Sequence, residues 1–202
     1  MALDERRRHV ILYGMRKTVV LSFLLAPFLA GALAAACPDP ENIDAEMQAL
    51  FARANKAENF RQGQEISDAM WRAWLRAPDE PAQAALDAGL ARRGAYDFAG
   101  ALKEFDRLAK YCPTYAEGFN QRAYIHFLRE DYDKALGDLE IALSLQPLHV
   151  AAQSGRALTL MNLGRLSEAR EQLLIAVGNN PWLSEKALLA EGAPLGPSGK
   201  DI

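Results

Sequence analysis

"REDYDKALGDLEIALSLQP", residues 129–147, decides the fold. Ala135, Leu139 and Ala142 recur at four- and three-residue steps, the spacing of one buried helix face, and Pro147 ends the run. Another proline stands 34 residues before it, Pro113, and another 34 after it, Pro181. That period marks repeated helical hairpins, which hide their apolar sides by stacking on one another.

Counting back from the prolines gives three units of 34 residues, 82–115, 116–149 and 150–183. Gly89, Ala123 and Ala157 share the eighth position; Ala101, Ala135 and Ala169 the twentieth. Phe105, Leu139 and Leu173 share the twenty-fourth; Leu108, Ala142 and Ala176 the twenty-seventh. Small residues at eight and twenty let helices A and B of a unit cross closely, and the large residue at twenty-four fills the space between units. Leu108 stands where a small residue is usual, which predicts wider packing around it. "RRGAYD", "LREDYD" and "LGRLSE" break the apolar pattern at equivalent places, between helices A and B. Together these columns resemble the tetratricopeptide repeat family, and the resemblance implies an all-α, right-handed solenoid of helix-turn-helix units.

Residues 42–78 read as a divergent unit of two helices, about 42–57 and 62–76, with Ala54, Met70, Ala73 and Pro78 near the expected columns and Ile66 at odds with them. We expect this pair to stack as the N-terminal cap. Trp71 and Trp74 share a helix face and either plug the solenoid's end or face a ligand. "WLSEKALLAEG" predicts a capping helix over about 183–190 within the C-terminal segment 184–202, and "GAPLGPSGKDI" a loose tail.

The first 36 residues hold five Lys+Arg against two acidic residues, leaving 18 basic and 24 acidic residues beyond them. Apart from Arg92-Arg93 there is no basic face, so nucleic acid is not an expected partner. From Met15, "MRKTVVLSFLLAPFLAGALAAAC" has the basic, apolar and small-residue order of a secretory signal peptide, which puts the leader at 1–36 with Met15 as a candidate start. Soluble periplasmic export, an uncleaved anchor, and a lipoprotein acylated at Cys37 all place the folded part outside the cytoplasm. Cys37 and Cys112 are the two cysteines; an oxidising compartment suggests a disulfide between them, and two unrelated thiols is the alternative. In a stacked array the starts of A helices and ends of B helices share one edge, so residues 37–43 can carry Cys37 along it to Cys112.

No chemistry surfaces. His9, His126 and His149 have no metal-ligand spacing, and "GPSGKD" lacks the Ser/Thr and the preceding strand of a phosphate loop. We expect no enzyme, no metal and no cofactor. The family resemblance implies a concave groove lined by helix A, here Leu86, Leu90, Arg93, Asn120, Tyr124, Phe127, Leu158 and Met161, with a protein or peptide as partner. Leu90, Tyr124, Phe127, Leu158 and Met161 form a stripe more apolar than a surface requires. Chaperone-binding members grip a terminal carboxylate with Lys, Arg and Asn; Leu86, Leu90, Gln121, Ala151 and Gly155 stand at those positions. The expectation is an interaction scaffold of the cell envelope without that clamp. A lipid-anchored assembly factor and a self-associating structural subunit are the alternatives.

Overall fold

The computed structural model describes residues 36–197; the leader reading falls almost wholly outside them, as do residues 198–202 of the tail. Two helices come first, α1 (Asp44–Ala54) and α2 (Phe60–Trp74). Three helical hairpins follow: α3 (Glu80–Gly94) with α4 (Phe98–Tyr111), α5 (Ala116–Leu128) with α6 (Tyr132–Leu145), and α7 (Val150–Asn162) with α8 (Leu166–Asn179). Both ends of α4 recur 34 residues on in α6 and again in α8, and α5 and α7 keep the same step. Only α3 starts early, where Asp79 caps it by accepting from Ala82 N–H and Pro81 sits in its first turn. Among the described residues no helix is long and apolar enough to cross a membrane.

The turn inside each hairpin has one geometry. Tyr96, Glu130 and Gly164, again 34 apart, hold φ of 60°, 61° and 76°. The next residue donates back five positions, Asp97 to Arg92, Asp131 to His126 and Arg165 to Leu160, each at 2.9 Å. This left-handed closure satisfies the last carbonyls of each A helix and reverses the chain in three residues.

Packing within each hairpin joins columns eight and twenty-four. Ala123 and Leu139 share one buried cluster, and Ala157 and Leu173 another. In the first unit the pair is Gly89 and Phe105, and a Cβ on Gly89 would overlap the Phe105 ring. The larger residue in one column is matched by a smaller one in the other. The same exchange corrects the wide packing expected at Leu108: it is fully buried, and Gly118 of the next unit presents its backbone there. Arg122 ties neighbouring B helices by a two-pronged bond to Asp138 and a third to Asp106, and Arg156 repeats the reach one unit on, to Gln172 and Glu140.

Two end assignments change. Residues Ser184–Leu189 form a 3-10 helix, shorter than the expected capping helix, and Leu188 and Leu189 pack against the cluster of Leu160, Ala169 and Leu173. The tail is not loose at its start: Leu195 is buried in that cluster, donates its N–H to Leu188 and accepts at its carbonyl from Arg170.

The larger correction concerns α1 and α2. Their core, built on Met47, Leu50, Phe51, Ile66, Met70 and Trp74, closes on Val150, Leu148, Ala151, Trp182 and Leu183, so the pair reaches units two and three, while Leu75 at the end of α2 meets the first-unit core. It is a strap along the edge of the solenoid.

The matched columns predict a double-mutant result. Gly89→Ala should destabilise the protein by about 1–3 kcal/mol in urea unfolding, as overpacking against an immobile ring does. Adding Phe105→Leu recreates the Ala-Leu pair of the other units and should return most of the loss. An additive double mutant would refute the pairing.

Candidate functional site

The strap is held by the turns that the period creates. Proline at position 32 ends each B helix, and position 34 then carries Tyr115, His149 and Leu183. Tyr115 donates its hydroxyl to Trp74 O at 2.6 Å; burial, and then the charges of Glu117 and Asp87, push this phenol upward, so it stays a donor. The His149 ring stacks on Trp74 at 4.3 Å and 13°, and Leu183 joins the strap's apolar core. One residue before Leu183, Trp182 lies against Gly63 so closely that a Cβ there would enter the indole, while its Nε1 donates to Ala54 O at 2.8 Å. Asn180 to Ser67 and Asn55 to Gly178 close the far end. Asn59 starts α2 locally, accepting from Gln62 N–H.

At the near end the structure pairs Cys37 with Cys112, Cα atoms 5.1 Å apart. Asp79 lies beside them, giving one trio of metal-type ligands among the described residues. It offers no open site, because the sulfurs are joined and Asp79 accepts from Ala82 N–H and from the Tyr111 hydroxyl, whose pKa that bond raises.

A buried polar chain runs from the strap to the groove. His149 Nδ1 accepts from Ala152 N–H, so its proton sits on Nε2 and is donated to Glu117 at 2.7 Å. Glu117 also accepts from Asn120 and Gln121, and Gln121 accepts from Arg93 at 2.6 Å. Arg93 rests over the Tyr124 ring, 5.4 Å from its centre.

Between α2 and the inner faces of α3, α5 and α7 lies a cleft of about 960 Å³. Leu90, Arg93, Asn120, Tyr124, Phe127 and Leu158 all line it. Leu86 and Met161 do not: Leu86 is fully buried in the first-unit core, and Met161 packs toward the C-terminal cluster. The strap adds residues that the groove pattern does not mark, chiefly Phe60, Met70 and Trp71, and Trp182 joins them from the turn. The tryptophan pair thus divides its work, Trp74 buried in the strap core and Trp71 half open to the cleft at 5.5 Å, edge to face.

The contact of Gly63 with Trp182 predicts how the strap can be loosened. Gly63→Ala should raise amide hydrogen exchange across residues 44–74 and cost about 1–3 kcal/mol, leaving residues 98–179 protected. Gly137→Ala in α6, where nothing meets an added Cβ, should instead be neutral or stabilise by up to about 1 kcal/mol. Equal exchange in the two variants would refute strap docking at Gly63.

No family model matches the chain. A TPR repeat-containing protein of Rhizobium etli is 39% identical over 64 residues, covering 32% of this chain and 31% of that protein. A tetratricopeptide repeat protein 36 homolog of Nematostella vectensis is also 39% identical over 64 residues, 32% of this chain and 35% of its own length. The match therefore spans about a third of each curated relative. Among solved structures, the TPR2AB-domain:pHSP90 complex of yeast Sti1 aligns with a TM-score of 0.50 at 18% identity, covering 73% of this chain and 60% of that one. Over those 64 residues the chain is similar to tetratricopeptide repeat proteins, and its described residues have the all-α solenoid fold of such repeats.

Proposed function

We propose that this protein is a non-catalytic interaction scaffold of the cell envelope that binds a polypeptide in the covered groove. The observation that carries this is the cleft between α2 and the A helices, where Leu90, Tyr124, Phe127 and Leu158 meet Trp71. Pockets that hold a ligand are concave, mostly apolar and sparsely polar, and this one has that character. The Sti1 neighbour is a complex with pHSP90, which supports a peptide as the class of ligand. The ligand is held without a carboxylate clamp, since Leu86, Leu90, Gln121, Ala151 and Gly155 carry no cation. Replacing Tyr124 and Phe127 together with Ser should abolish crosslinked capture of the partner from the envelope fraction while circular dichroism stays helical. Undiminished capture would mean that the groove is not the site.

Export to the periplasm rests on the leader from Met15, with its Ala34-Ala35-Ala36 end, and on the cysteine pair. One sulfur cannot be both acylated and disulfide-bonded, so the pairing favours a soluble exported protein over a lipoprotein. Closing a span of 75 residues stabilises the fold by about 4–5 kcal/mol on the chain-entropy model. Non-reducing mass spectrometry of protein recovered from the envelope should show a peptide linking Cys37 to Cys112, and Cys112→Ser should lower the urea midpoint. A diacylated Cys37 in the same sample would replace this reading with the lipoprotein one.

A further inference from the structure

We infer that the groove takes an uncharged, proline-rich segment of a partner, laid as a polyproline II strand between α2 and the A helices. The inference rests on the reading of the groove as a polypeptide site and names the chemistry that site selects. Its first support is where the aromatic surface lies. Phe60, Trp71, Tyr96 and Tyr124 are 66%, 38%, 82% and 46% exposed, and all four line this one cleft. They are the exposed aromatic rings among the described residues; of the other exposed large apolar side chains, all aliphatic, Leu128 also lines the cleft, while Ile141, Leu145, Leu166, Leu174 and Ile175 do not. Flat rings open to solvent offer faces on which pyrrolidine rings lie flush, and polyproline segments dock in aromatic-lined grooves at low ordering cost because their backbone is already extended.

Hydrogen-bonding capacity supplies the second support. Two groups at the cleft, the indoles of Trp71 and Trp74, can only donate, and neither has a hydrogen bond among the described residues. Trp74 Nε1 and Ser154 Oγ are buried without a partner, and the Trp71 indole and the Tyr96 and Tyr124 hydroxyls have no hydrogen bond among the described residues. A polyproline strand presents the complement: every carbonyl is free, and each proline brings no N–H that would need an acceptor. Charge gives the third. Arg93 and Glu185 are the ionisable groups of opposite sign at the cleft, and Arg93 is already committed to Gln121 and the Tyr124 ring. The two formal charges of the lining cancel, so the cleft has no net charge with which to select a charged ligand.

The three tryptophans of the chain, Trp71, Trp74 and Trp182, all border the cleft, so their fluorescence reports occupancy directly. The test titrates the purified, oxidised protein with end-blocked peptides of equal length: repeated Pro-Pro-Ala, a Gly-Ser repeat, and a soluble Leu-rich sequence. The proline peptide should shift the emission and bind, with the other two at least about tenfold weaker. Trp71→Ala and, separately, Tyr124→Ser should each weaken the proline peptide about tenfold or more with the helical dichroism unchanged. Equal or tighter binding of the Leu-rich peptide would overturn the proline assignment and leave the groove reading standing. So would silence from every peptide while the Tyr124/Phe127 double variant still loses its envelope partner. Proline binding that neither single variant disturbs would place the peptide elsewhere. Silence from every peptide together with undiminished capture by the double variant would remove both readings.

Discussion

The approach of columns eight and twenty-four is the contact on which the rest is built. In each hairpin a small residue on helix A lets a large one on helix B lie against its backbone, as Gly89 with Phe105, Ala123 with Leu139 and Ala157 with Leu173. A hairpin so joined still exposes one apolar side, and only a neighbour covers it. The covering fixes the step at which A helices follow one another. That step sets the side chains of α3, α5 and α7 beside each other as a concave wall and brings Tyr115, His149 and Leu183 out along one edge. Wall and edge are two products of one packing rule.

The parts legible in the sequence were those that repeat. Proline spacing, the small-residue columns and the turn segments located the three hairpins, because each signal recurs and a chance match in one unit does not carry to the next. The strap escaped the same reasoning. Its core residues follow ordinary helical periodicity, which says that α2 has a buried face but not which surface it meets. What decides the matter is a set of contacts far apart in sequence: Gly63 with Trp182, Trp74 with His149, Asn55 with Gly178. Trp182 and His149 stood in turns where a solenoid alone has no use for a large ring, and that oddity was the available signal. Leu86 and Met161 illustrate the converse limit. Their register assigned them to the wall, but the segment around Leu75 and Ala77 and the C-terminal 3-10 helix bury one and partly cover the other.

Covering the groove changes what the solenoid can select. An open concave wall reads one side of a ligand; with α2 across it, the cleft presents aromatic surface from both sides, Tyr124 and Phe127 facing a space that Phe60 and Trp71 also border. The arrangement costs desolvation, since Trp74 Nε1 and Ser154 Oγ are left without partners, each unfavourable by about 1–3 kcal/mol. The Cys37–Cys112 pair and the bonds from Tyr115 and Trp182 offset that cost by holding the strap at both ends.

Strap and groove are also joined from within. Glu117 is buried and accepts from Asn120, Gln121 and His149; Gln121 in turn receives Arg93, which covers Tyr124. A buried carboxylate needs every one of its donors, so the chain of bonds resists loss of any member. His149 stands at its strap end, stacked on Trp74, and Arg93 at its groove end. Moving the strap therefore disturbs the ring that shelters one donor of Glu117, and displacing Arg93 from Tyr124 disturbs another. A ligand seated in the cleft, as proposed, would touch α2 and the wall together, and its binding energy would then add to strap docking by simple mass action. The edge contacts that hold the strap thus also hold one wall of the cleft.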